Sequence, residues 1–127
     1  MKLIIDAHSW IEYLRGSSSG EKVNKLLEED NEILVLPITI SEVIAKVKKN
    51  NGNVEAAYSS IIKNSRIFEP TPKITKEAGL LYVEMRKKNE SFGIVDSLLI
   101  TSAKIIEAKL VSGDNHFKSF KEAILIN

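Results

Sequence analysis

The strongest constraint on this chain is a set of apolar runs too short for helices. They are Leu3-Ile4-Ile5, Ile33-Leu34-Val35-Leu36, Leu110-Val111 and Ile124-Leu125-Ile126. Each is bounded by polar or turn residues, the pattern of a strand buried on both faces. Arg66-Ile67-Phe68 is a further short candidate. Between these runs the apolar period changes to that of a helix. Ile40, Val43, Ile44 and Val47 form an i, i+3, i+4, i+7 stripe within a helix expected over Thr39–Asn50. Further helices are expected over Glu21–Asp30, Val54–Asn64, Ile74–Lys88 and Val95–Ala108, with shorter turns over Ser9–Leu14 and Phe117–Lys121. Gly16-Ser17-Ser18-Ser19-Gly20 reads as a flexible break, either a helix connector or a mobile lid. Strands alternating with helices predict an α/β fold. The expected form is a three-layer α/β/α sandwich around a mainly parallel sheet.

The 127 residues suit one domain over 1–127. Lys and Arg total 18 against 17 for Asp and Glu, a net charge of +1, which excludes a generally polycationic binder. The absence of Cys excludes disulfide scaffolds, zinc–thiolate sites and Cys nucleophiles. No apolar run approaches the roughly 18 residues of a membrane span. The early Asp6 reads against a signal peptide, and the expected location is cytoplasmic.

Four acids then fall at equivalent places. Asp6 follows the first strand and Asp114 follows Leu110-Val111. Glu42 and Asp96 sit in the first turns of their helices. In a parallel α/β sheet, strand carboxyl ends and helix amino ends share the edge where ligands bind. Each acid alone has a plain explanation. Asp6 suits an N-cap, Thr39-Ile40-Ser41-Glu42 matches a capping box, Asp96 favours the helix dipole and Asp114 suits a turn. Together they differ, because clustered carboxylates raise one another's pKa and call for a cation. An oxygen donor set suits Mg²⁺ or Mn²⁺, ions that activate water and neutralise a phosphoryl displacement.

Asp6-Ala7-His8-Ser9-Trp10-Ile11-Glu12-Tyr13-Leu14, Ser41-Glu42-Val43, Val95-Asp96-Ser97-Leu98-Leu99-Ile100-Thr101-Ser102-Ala103 and Leu110-Val111-Ser112-Gly113-Asp114-Asn115-His116-Phe117 resemble the PIN domain. More narrowly, they resemble the toxin ribonucleases of VapBC-type toxin–antitoxin pairs. The resemblance covers essentially the whole chain. It implies a metal-dependent endoribonuclease using Mg²⁺ or Mn²⁺, with an acidic quartet on Asp6, Glu42, Asp96 and Asp114. Asp6, Asp96 and Asp114 would bind metal, and Glu42 would bind metal or orient the attacking water. Ser112 takes the family's hydroxyl position, holding the Asp114 loop or a metal water. The resemblance also implies a small antitoxin partner. The expected assembly is a homodimer and the expected substrate is single-stranded or looped RNA. Many relatives carry a further acid just after Asp114, where this chain has Asn115 and His116, so a catalytically weak RNA- or protein-binding module is the alternative. A phosphoacceptor receiver-like domain is disfavoured, because Asp6 has no acidic neighbour before it.

The remaining features carry weaker signals. His8 and His116 suit plain surface or cap roles before RNA contacts, and a metal or catalytic role is the less favoured reading, since no spacing here matches a zinc motif. Trp10, Tyr13 and Leu14 suit either the core or an antitoxin groove. Lys46, Lys48 and Lys49, and likewise Arg86, Lys87 and Lys88, suit RNA phosphates or simply helix ends. Tyr58 and Tyr82 read as core or dimer-contact residues.

Overall fold

A computed structural model describes residues 1–127. The apolar runs form strands β1 (Lys2–Ile5), β2 (Glu32–Val35), β3 (Arg66–Ile67), β4 (Lys109–Ser112) and β5 (Ala123–Leu125). The helices are α1 (Ala7–Arg15), α2 (Ser18–Glu28), α3 (Pro37–Lys49), α4 (Val54–Asn64), α5 (Pro72–Arg86) and α6 (Ile94–Ile106), with one 3-10 turn at Asn115–Phe117. The strands form one sheet in the order β3-β2-β1-β4-β5, and every pairing is parallel.

Alternate side chains of each strand point to opposite faces, so each buried run feeds two cores. Leu3, Ile5, Val35 and Val111 pack with Trp10, Val23, Val43 and Ile61 on the face covered by α1 to α4. Ile4, Leu34 and Leu110 pack with Phe92, Leu99, Ile100 and Phe117 on the face covered by α5 and α6. This is the three-layer α/β/α sandwich, with an all-parallel sheet. Complete burial of each such Leu or Ile contributes about 1.5–3 kcal/mol.

Local signals start the helices where side-chain caps are available. Ser17, Asn53 and Thr71 accept from backbone N–H groups at the starts of α2, α4 and α5, and Pro occupies the first turns of α3 and α5. Pro is tolerated there because those N–H groups have no intrahelical partner.

Two expectations are overturned. The Ser/Gly stretch is not a flexible break or a lid: Ser17 caps α2, and α2 already includes Ser18, Ser19 and Gly20. Gly20 is buried where α2 crosses α1, and a Cβ there would lie 2.0 Å from the Glu12 carbonyl oxygen. Its small size serves close packing. The capping box at Thr39–Glu42 is also absent, because Pro37 starts α3 earlier and Leu36 is the N-cap residue. Thr39 is buried inside the helix instead.

Candidate active site

The strand order places the topological switch between β1 and β4, which pair directly although α1 to α6 separate them in sequence. A cleft opens there, at the carboxyl ends of both strands, as expected for an open α/β sheet. Its volume is about 660 Å³, and Asp6, Glu42, Asp96 and Asp114 all line it, with His8 and His116.

Asp6 ends β1 and caps α1, its Oδ1 accepting from Ser9 N–H at 2.8 Å. Asp96 lies in the first turn of α6, and its Oδ2 accepts from Gly93 N–H at 2.8 Å. Asp114 follows β4, and its Oδ1 accepts from His116 N–H at 2.8 Å. Asp6 as an N-cap, Asp96 in the first turn of its helix and Asp114 in a turn thus keep their plain local roles without competing with a cleft role. One oxygen of each anchors the backbone while the carboxylate borders the cleft. Ser112 Oγ accepts from Asp114 N–H at 3.0 Å and so holds the loop that carries this acid.

Burial pushes the Asp6 carboxyl up from its ordinary value, against the stabilising hydrogen bonds of the Ser112 hydroxyl and Ser9 N–H. Glu42 is also pushed up, first by partial desolvation at the cleft wall and then by the like charges of Asp96 and Asp6. The residue as a whole remains exposed, so the repulsion between charges is the part a cation would cancel.

His8 is exposed at the rim and lies against Gly113, where a Cβ would stand 2.5 Å from His8 Cδ2. A side chain at Gly113 would have to displace the His8 ring. His116 is deeper. Its Nδ1 lies 3.1 Å from Asp114 Oδ2 and 3.5 Å from Asp96 Oδ2, yet this buried atom makes no hydrogen bond. Ligand atoms of Asp96, Asp114 and His116 all fall within 4.8 Å of one another. Clustered carboxylates, no thiolate and one orphaned ring nitrogen are a donor set that fits a divalent cation.

A PIN domain model matches residues 3–123. The chain belongs to the PIN domain family. Similar solved structures include VapBC2 of Rickettsia felis bound to a promoter DNA fragment. It is 22% identical, covers 98% of this chain and 97% of that one, and has a TM-score of 0.75. A toxin–antitoxin complex of Klebsiella pneumoniae is 14% identical over 98% of both chains, again with a TM-score of 0.75. VapC20 of Mycobacterium tuberculosis, a toxin that cleaves the sarcin–ricin loop, is 14% identical with a TM-score of 0.72, covering 94% of this chain and 95% of that one. No curated protein matches this PIN domain.

Several other sequence candidates change place. Trp10 is fully buried and belongs to the core, so it does not face a partner groove. Leu14 does border an apolar groove between α1, α3 and α4, with Ile11, Val47 and Ala57. Tyr13 packs edge-on against Trp10, ring centres 6.0 Å apart. Tyr58 is exposed, which excludes the core reading for it. Of the cationic groups, Lys46 lines a smaller pocket next to the cleft, with Glu42 and His8. Arg86 stacks over Tyr82 at 5.3 Å, and Lys87 pairs with Glu84 at 3.1 Å. The PIN domain site also includes residues that sequence reasoning missed. Glu12 and Asn127 line the cleft, and Ser91 contacts His116. Only Glu12 carried a signal, one turn beyond His8 on the same helix face.

Proposed function

We propose that this PIN domain is a metal-dependent endoribonuclease that hydrolyses RNA phosphodiester bonds with Mg²⁺ or Mn²⁺. It is the toxin of a VapBC-type toxin–antitoxin pair, cytoplasmic and folded as one domain over 1–127. The observation that carries this reading is the convergence of Asp6, Glu42, Asp96 and Asp114 on one cleft at the switch point. The VapBC-like solved structures support its toxin part.

Asp6, Asp96 and Asp114 hold the ion, and their backbone anchors fix them before it arrives. When bound, a divalent ion polarises the scissile phosphate and lowers the pKa of nearby water. Four carboxylates alone would repel RNA, so substrate binding itself depends on the cation. Glu42 stands on the exposed wall, where its carboxylate orients water or contributes to holding the ion. Ser112 keeps Asp114 in place. Lys46 and His8 at the rim meet RNA phosphates.

The apolar groove lined by Ile11, Leu14 and Val47 receives the small antitoxin. Leu80 and Val83 on α5 and Ile94 and Ile105 on α6 expose apolar side chains and support a homodimer, which sedimentation in solution tests. The deciding experiment is cleavage of structured RNAs, including a sarcin–ricin-loop hairpin, with Mg²⁺, Mn²⁺ or chelator. Cleavage is expected with metal only, and Asp96→Asn is expected to abolish it. Binding without cleavage under either ion would leave a weak RNA- or protein-binding module instead.

A further inference from the structure

The surroundings of His116 constrain what its ring can do. Ser91 N–H donates to Asn89 Oδ1 at 3.0 Å, which identifies that atom as the amide oxygen. The Ser91 hydroxyl lies 2.8 Å from the same oxygen and must donate its one proton there. The Ser91 Oγ lies 2.8 Å from His116 Nε2 and can then only accept. Nε2 therefore donates to Ser91, and Nδ1 is the ring nitrogen that faces the cleft. Two carboxylate oxygens flank Nδ1, 3.1 and 3.5 Å away. Neither is placed to receive a hydrogen bond from it, since Nδ1 has no partner although it is buried. The ligand atoms of Asp96, Asp114 and His116 lie within 4.8 Å of one another, a spacing that one shared cation fits.

We infer that His116 is a nitrogen ligand of the carboxylate metal site, acting through Nδ1, so that the site favours Mn²⁺ over Mg²⁺. Ser91 and Asn89 are positioning residues that fix the ligating tautomer, the usual task of groups hydrogen-bonded to the far nitrogen of a metal-bound His. The inference rests on the metal-dependent reading above. Imidazole suits transition metals, whereas an all-oxygen site suits Mg²⁺.

The test reads the ion directly. Substoichiometric Mn²⁺ is added to the intact protein, and pulsed electron paramagnetic resonance is used to detect coupling to ¹⁴N. Coupling is expected, and labelling the protein with [¹⁵N]histidine is expected to convert it to the ¹⁵N pattern. Coupling should disappear in His116→Gln and survive in His8→Gln. Calorimetry should show Ser91→Ala binding Mn²⁺ about 10-fold more weakly, with a smaller change for Mg²⁺. Mn²⁺ bound without nitrogen coupling, or coupling that persists in His116→Gln, overturns the role of His116 and leaves the carboxylate site standing. No Mn²⁺ binding by the wild-type protein overturns both.

Discussion

The two helical layers of this molecule each bring two acids to the cleft, but they hold them differently. The layer of α1 to α4 supplies Asp6 and Glu42, both with carboxyl groups pushed up from their ordinary values. The layer of α5 and α6, with the loop after β4, supplies Asp96 and Asp114, and His116 stands in contact with both. The first layer packs aliphatic residues around Trp10. The second has Phe92 and Phe117 edge-on at 6.2 Å, with Phe92 also 6.0 Å from the His116 ring. One wall of the cleft thus holds its acids chiefly against the cost of desolvation. The other is an aromatic-backed turn that carries a ring nitrogen. On the reading proposed above, a cation would relieve the first wall and take ligands from the second.

The largest effect is expected from the wall that carries the buried Asp6. Asp6→Asn should lower metal-dependent RNA cleavage by about 10³-fold, about 4 kcal/mol in the barrier, measured under single-turnover conditions. Equal loss in Asp6→Asn and Asp114→Asn would mean that the walls act as one unit. Packing comes next. Gly20→Ala drives a Cβ into the α1 backbone and should destabilise the protein by about 3 kcal/mol in urea titrations. In the second layer, Gly79 meets nothing within 4 Å, and Gly79→Ala should stabilise by about 0.5–1 kcal/mol. The smallest effect is on pH dependence without metal. A carboxyl raised on folding binds its proton more tightly in the native state, so stability is fully present below the unfolded values, near 3.8 for Asp and 4.5 for Glu. It falls as pH rises through the folded values. Glu42→Gln should flatten that fall by about 1 kcal/mol or less, because the group is exposed. Thermal melts in chelator across the acidic range measure it.

Much of this architecture was legible in the sequence because it rests on local patterns. Leu3-Ile4-Ile5 and Leu110-Val111 read as buried strands, and they are the pair that frames the cleft. The four acids were legible through topology alone, since an all-parallel sheet gathers its strand ends. Residues whose meaning depends on a distant neighbour were not. Gly20 looks the same in sequence whether it loosens a loop or admits another helix, and only the position of Glu12 decides. Trp10 reads equally as core or contact surface until α1 is docked. Thr39-Ile40-Ser41-Glu42 fits a helix start, but Pro37 claims that place earlier. Ser91 and Asn89 gave no signal, because their role exists only once His116 arrives from another part of the chain.

The central position of β1 has a consequence for the timing of synthesis. The Ser9 hydroxyl donates to the Val111 carbonyl across 102 positions of sequence, and Asp6 meets Asp114 through that same β1–β4 pairing. A ribosome must therefore release nearly the whole chain before the acidic cleft can exist, since contacts of such long range form late. For the nuclease proposed above, the topology acts as a built-in delay: the cleft is complete only when the last third of the chain has closed over the first strand.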